Sequence, residues 1–368
     1  MLLIIKKVKI YYDYQIFLLQ KFGGISKYYI NLINNLDSSS EKLIIAPFHK
    51  NYYLDNQNEN IKKLIYFDQK KKNITTISQH LNKTYTKFLY KYQTPDIFHF
   101  TYFNQKPYLK KKSSYVMTVY DLIKERLYNK QFENEKLNLI KYFKCIDKII
   151  CISENTKKDL IEHYKLPQEL IEVVHLGVSF DKSYNKIDNI LPKKPYILFV
   201  GDRSRYKNFK NFISAYVKSE RLKKDFDIFC FGGGVFKIEE VNFFKESGIS
   251  QKIKQNTGGD LELNYVYKNA RCFVFPSLYE GFGLPLLESM NMDCPVICSD
   301  TSSFLEVTNN AAVLFDPSKI ENIMCEIESV VYDDQKISDL ITRGRNNIKN
   351  FSWKKCADKT LEVYKSIL

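Results

Sequence analysis

Phe273–Glu288 reads FVFPSLYEGFGLPLLE. With Cys272 its apolar start has the length of a buried strand. Gly281 and Gly283 let the backbone turn and come close to a ligand, and Pro285 suits a first helical turn. Amide N–H groups at a helix start lack helical partners and attract phosphate or sugar oxygens, while a carboxylate can accept hydrogen bonds from two vicinal hydroxyls. Glu280 stands in the loop and Glu288 is expected in the first helical turn. A nucleotide sugar presents both kinds of oxygen. Either glutamate taken alone is more simply a surface side chain on a packing unit.

The alternation of short apolar strands with amphipathic helices continues on both sides of this unit. KVKIYYDY, IFHFTYF, SSYVMTVYD, DKIICIS and IEVVHLGV read as strands of a first domain, with Ser153 as the N-cap of the helix after DKIICIS. PYILFVGD, DIFCFGGG, a strand near Lys252–Asn256, ARCFVFPS, PVICS and AAVLFD read as strands of a second. Such alternation predicts doubly wound α/β sheets, and 368 residues suffice for two domains with separate cores. Residues 179–194, SFDKSYNKIDNILPKK, are mostly polar and contain Pro192 near their end. They predict a linker between domains at 1–178 and 195–351, with a helical tail at 352–368.

Ligands of these sheets bind where C-terminal strand ends meet loops. After Phe199-Val200-Gly201 comes Asp202-Arg203-Ser204-Arg205-Tyr206-Lys207-Asn208, whose three cations could neutralise a diphosphate or form a solvated basic turn. Gly23-Gly24, between the first strand and first helix, suits close approach to a phosphate and equally a plain turn. GGISK lacks the Walker spacing, which disfavours an NTPase.

Glu280 and Glu288 within EGFGLPLLE resemble the signature of glycosyltransferase family 4, and the resemblance runs through YDYQIF, GGISKYY, TVYDLIKE, CISENTKKDL, FVGDRSRYKNF and FSWKKCA. It implies an α/β GT-B fold, two Rossmann-like domains facing across a cleft, with the tail helix crossing back onto the first. It also implies a hexosyltransferase acting with retention. By resemblance, Glu280 binds donor-sugar hydroxyls, the amides of Phe282, Gly283 and Leu284 take sugar or phosphate oxygens, and Glu288 takes the ribose. Lys207 grips the diphosphate together with Arg203 or Arg205, Arg203 being favoured, and Gly23 and Gly24 close over the phosphates. Many members have His-Asp where this chain has Tyr120-Asp121. Tyr120 is expected to contact the sugar, since a tyrosine of ordinary pKa is a poor base near neutrality. The implied setting is synthesis of O-antigen, lipopolysaccharide or capsule, with GDP-mannose the favoured donor and a glycan or lipid-linked glycan the acceptor. The alternatives are a GT-B sugar-nucleotide epimerase and a non-catalytic sugar-nucleotide-binding protein.

No metal or other cofactor is expected. Asp225-Phe226-Asp227 has the Asp-x-Asp form but opens a strand, away from the ligand end, and His99, His163 and His175 lack ligand spacing. Residues 1–180 hold 29 Lys and Arg against 17 Asp and Glu, so +12 of the total +14 falls in that half. This favours an anionic ligand or membrane surface, whereas nucleic acid is not expected without a recognition motif. In LNKTYTKFLYKYQ, Leu81, Tyr85, Phe88, Leu89 and Tyr92 fall on one helical face and Lys83, Lys87 and Lys91 on another. A basic aromatic helix of this kind lies in a membrane interface, although most amphipathic helices pack their apolar face on a core. No apolar run reaches the ~20 residues of a membrane span, and MLLIIKKVKI lacks a signal cleavage site. The expected location is cytoplasmic, at the inner face of the membrane. The eight cysteines fit that setting, several lying in apolar strand-like runs.

Overall fold

A computed structural model describes residues 7–38, 40–55, 65–66, 72–102, 109, 112–127 and 133–368. The first six residues of MLLIIKKVKI lie outside the described residues. The chain divides into two compact units, Met1–Gly177 with Trp353–Leu368, and Val178–Ser352.

In the first unit, β1 (Val8–Tyr12), β2 (Ser40–Ile44), β5 (Ile97–Phe100), β6 (Ser114–Val119), β7 (Lys148–Cys151) and β8 (Ile171–Val173) form one sheet in the order β2-β1-β5-β6-β7-β8. Every pairing is parallel. A separate parallel pair joins β3 (Phe48–His49) to β4 (Ile65–Tyr66). Helices cover a parallel sheet, so its inner strands are apolar on both faces. Phe98, Phe100, Val116, Met117, Ile149 and Cys151 are accordingly buried. The sequence reading passes over β2 because SEKLI is an edge strand with a polar first half. Ser153 caps the helix Glu154–Tyr164, its hydroxyl accepting from the Thr156 amide.

The tail helix, Trp353–Lys365, packs in this unit against the helix Gly24–Asn35, with Trp353 and Tyr28 ring centroids 6.2 Å apart. Its Tyr364 hydroxyl hydrogen-bonds with His99 Nδ1 at 2.6 Å and with the Tyr12 hydroxyl at 3.1 Å, and His99 Nε2 hydrogen-bonds with Thr118 Oγ1 at 2.9 Å. Burial lowers the His99 pKa from 6.5 to about 3. The unfolded chain therefore binds this proton first, and stability present above pH 6.5 is lost as pH falls toward 3. We expect stability to fall more steeply on acidification from pH 6.5 in the wild type than in His99→Gln, the slopes differing by up to about 1.4 kcal/mol per pH unit. Urea unfolding at a series of pH values measures both slopes. Parallel curves would show that His99 is not held neutral.

In the second unit, β9 (Tyr196–Val200), β10 (Asp227–Phe231), β11 (Ile253–Asn256), β12 (Cys272–Phe275), β13 (Val296–Ser299) and β14 (Ala312–Phe315) are all parallel, in the order β11-β10-β9-β12-β13-β14. The chain winds outward from β9 in one direction and then restarts at β12 beside it. Loops leaving β9 and β12 thus diverge to opposite faces and leave a crevice at the switch point. Asp227 pairs with Tyr196 at the other end of these strands. Residues 179–194, expected as a linker, are strapped to this unit. Lys182 pairs with Asp293 at 3.1 Å, Asn185 N donates to Leu261 O at 3.2 Å, and Asn264 Nδ2 donates to Ser183 O at 2.8 Å. Among the described residues no helix is long and apolar enough to cross a membrane, and no group of three His, Cys, Asp or Glu side chains is placed to hold a metal ion.

Candidate functional site

The two loops at the switch point are tied to each other. Leu278 N, after β12, donates to Tyr206 O, after β9, at 2.8 Å. Beyond Leu278 the loop is fastened by the turn that follows β13. Glu280 N donates to Ser302 Oγ at 3.1 Å, and Ser303 Oγ donates to Glu280 O at 3.1 Å and to Phe282 O at 2.9 Å. Phe282 is buried against Phe351, their centroids 5.8 Å apart. Gly283, at φ +102°, is the N-cap of the helix Leu284–Asn291, which has proline in its first turn. The Gly283 and Leu284 amides stand at this helix start, where no carbonyl of the same helix can receive them.

Lys207 and Glu280 meet here. Lys207 Nζ lies 2.7 Å from Glu280 Oε1, and the side chains are only 12% and 13% exposed. The ammonium also sits 5.0 Å from the Phe275 ring centroid and 5.4 Å from that of Tyr206. A largely desolvated cation beside a carboxylate whose loop leads into a helix start is a set of groups for a ligand carrying both phosphate charge and hydroxyls.

Arg203, the favoured partner of Lys207 in the sequence, pairs with Glu240 in this structure. Its side chain is 3% exposed, with Nε 2.8 Å from Glu240 Oε1. Nη2 donates to the carbonyls of Gly234 at 3.1 Å and Val235 at 2.8 Å, and the guanidinium lies 4.8 Å from the Phe236 ring centroid. The rigid fork suits this carbonyl-rich turn, and it holds the Gly232–Val235 loop against β9. Arg205 is exposed. Glu288 also differs from expectation. It is the fifth residue of its helix, one turn in, and half-buried. It lies near Tyr267, adding to the burial that pushes that phenol's pKa up.

The remaining candidates belong to the first unit. Gly23 is the N-cap of the helix Gly24–Asn35, and the Gln20 side chain folds over it to accept from Ser26 N at 3.1 Å. Tyr120 packs against Tyr28 of that helix at 5.6 Å, and its hydroxyl is buried beside Tyr29 and Thr118. Burial raises the Tyr120 pKa well above 10, which removes it further from acting as a base. Asp121 Oδ1 accepts from Ile123 N at 3.1 Å. At the switch point between β1 and β5, Asp13 accepts from Thr101 Oγ1 and Gln15 Nε2, each at 2.6 Å. Desolvation raises the Asp13 pKa to about 6 despite these hydrogen bonds. Sequence reasoning did not single out Asp13, Ser302 or Ser303. The available signal was their position, in polar stretches directly after apolar strands.

Two family models match consecutive stretches, "Glycosyltransferase Family 4" over residues 22–182 and "Glycosyl transferases group 1" over 181–347. The chain belongs to the family 4-like glycosyltransferases. Among curated relatives it is 28% identical over 228 residues to O-antigen chain mannosyltransferase B of Escherichia coli, covering 59% of this chain and 60% of that one. It is 26% identical over 272 residues to the serotype-specific mannosyltransferase WbdA of Escherichia coli, covering 69% of this chain and 33% of the relative. The chain thus spans under two thirds of each. The solved structure of Anabaena Alr3699/HepE with UDP and glucose superposes with a TM-score of 0.73 at 13% identity, covering 98% of this chain and 100% of that one. That likeness shows the fold, a GT-B pair of Rossmann-like domains.

Proposed function

We propose that the chain is a retaining hexosyltransferase that works without a metal. It moves mannose from GDP-mannose to a glycan or lipid-linked glycan in the synthesis of O-antigen, lipopolysaccharide or capsule, at the inner face of an anionic membrane. The observation that carries this is the Lys207–Glu280 pair at the β9/β12 switch point, 2.7 Å apart, with Glu280 in the loop that leads into Leu284–Asn291. The names of the two Escherichia coli mannosyltransferases support the sugar and the setting. In this proposal Lys207, with Arg203 as the second cation, and the Gly283 and Leu284 amides neutralise the donor diphosphate. Glu280 and the Phe282 amide hold the sugar, and Glu288 holds the ribose. Gly23, Gly24, Tyr120 and Asp121 are the further candidate substrate contacts. The anomeric carbon–phosphate oxygen bond breaks as an acceptor hydroxyl oxygen bonds to the same face. The acceptor's proton passes to the departing phosphate oxygen, so no side chain has to act as a base. Rate acceleration then comes from charge stabilisation and positioning.

Incubation with labelled GDP-mannose and a lipid-linked glycan acceptor tests this. An α-linked mannosyl product from the α-configured donor is expected. An isomerised nucleotide sugar, or an unchanged one, would contradict it. A thermal-shift comparison of GDP-, UDP- and ADP-sugars checks the donor separately, because a ligand bound only by the folded protein raises its melting temperature. The GDP-sugar should give the largest rise. A larger rise with a UDP-sugar would move the assignment to another nucleotide.

A further inference from the structure

The helix Lys72–Tyr92 of the first unit carries large apolar side chains on its outward as well as its inward face, unlike an ordinary surface helix. Its inward face combines apolar side chains, Tyr90 buried in the core and Tyr85 and Leu89 packed against it, with polar ones. Ser78, Asn82 and Thr86 are buried there, with Asn82 Oδ1 accepting from Phe48 N at 3.0 Å, Asn82 Nδ2 donating to Phe48 O at 2.7 Å, and Thr86 Oγ1 donating to Asn82 O at 2.7 Å. The outward face is apolar, with Ile77 59%, Leu81 42%, Phe88 61% and Tyr92 65% exposed. Those four recur at helical spacing and form one stripe. Tyr85 and Leu89, expected on the same face as Leu81, Phe88 and Tyr92, instead pack against the core. Lys83, Lys87 and Lys91 follow on successive turns beside the stripe, and no acidic residue occurs anywhere from Lys72 to Tyr92.

We propose that this outward face docks the protein on an anionic lipid bilayer, with Ile77, Leu81, Phe88 and Tyr92 entering the interface and the lysines meeting the headgroups. The inward contacts, polar through Asn82 and apolar through Tyr90, fix the helix in an orientation that leaves Ile77, Leu81, Phe88 and Tyr92 in water, an arrangement relieved when they enter the headgroup–acyl boundary. Lysine stems reach along such a boundary while their ammonium groups stay at the phosphates. Charge decides against a second copy of the chain as the occupant. Symmetric pairing of two such helices would set lysine rows together with no carboxylate on either helix to neutralise them. The inference deepens the proposed function, since a lipid-linked acceptor would lie in the same surface.

Flotation with vesicles of phosphatidylcholine, alone or with one third phosphatidylglycerol, tests it. The full chain should float with the anionic vesicles at low ionic strength and be released by high salt. Lys87→Glu/Lys91→Glu and Phe88→Ser/Tyr92→Ser should each weaken binding by at least about tenfold. Phe88→Trp gives a readout free of any folding defect in the double variants. Its emission should shift to the blue on anionic vesicles while Trp353 contributes a constant background. The proposal is overturned by absence of flotation at low salt, by flotation that both double variants retain, or by an unshifted Phe88→Trp spectrum. A vesicle-free dimer abolished by Phe88→Ser/Tyr92→Ser would overturn it in favour of self-association. Transfer to a water-soluble acceptor is measured on the same preparations. Failure of transfer with vesicle binding intact counts against the proposed function alone, and the reverse counts against this docking face alone.

Discussion

Alanine at Lys207 is expected to lower turnover by about 10²- to 10³-fold, the loss typical of removing one preorganised group aimed at developing charge. The ammonium is held by Glu280 and sits near Phe275 and Tyr206, so it is in place before a ligand arrives. Its low exposure keeps water from screening it. Glu280→Ala should cost a comparable factor by freeing the donor sugar and releasing the lysine. Because each residue positions the other, the double variant should lose far less than the product of the single losses. Steady-state kinetics of the four proteins decides the matter. Independent, multiplicative losses would mean that the pair does not act as a unit, and unchanged turnover in either single variant would mean that the site has been misplaced.

The second large effect is expected at Gly283. At φ +102° an L-residue is strained, and an added Cβ would lie 2.9 Å from Leu286 Cδ1 and 3.2 Å from Phe304 Cε1. Backbone strain of about 1–3 kcal/mol and overpacking of similar size would act together in Gly283→Ala. Phe304 belongs to the helix after Ser303, which itself holds the Glu280 and Phe282 carbonyls. Relief of the clash would therefore displace the loop that presents Glu280. We expect a lower unfolding midpoint in urea together with turnover reduced by more than the fraction unfolded explains. A variant with wild-type midpoint and wild-type turnover would show that the loop conformation is unconstrained at this residue.

Much of the architecture was legible because buried parallel strands are short apolar runs. Tyr196–Val200, Cys272–Phe275 and Val296–Ser299 stand out from their polar loops and are fully buried along their lengths. Ser40–Ile44 was missed for the complementary reason, since an edge strand keeps polar residues. At the site, EGFGLP announced a glycine turn into a helix because proline and glycine have few other uses in that order. What Arg203 and Arg205 each contact was not legible. Arg203 meets Glu240 and the Gly234 and Val235 carbonyls, and those residues are far along the chain. The helix at Lys72–Tyr92 was half legible. Helical periodicity grouped Leu81 with Phe88 and Tyr92, but the side that met the core is the one carrying Tyr90 and Asn82, the latter bonded to Phe48.

The central claim is that a nucleotide-sugar diphosphate is held where the β9 and β12 loops meet. Calorimetric titration of GDP-mannose, UDP-glucose and ADP-glucose into the wild type, Lys207→Ala and Glu280→Ala tests it most directly. At least one of the three should bind the wild type with the largest affinity for GDP-mannose, and Lys207→Ala should weaken that binding by at least about tenfold, equivalent to about 1.4 kcal/mol. Binding of none of them, or equal binding by the wild type and Lys207→Ala, would contradict the account.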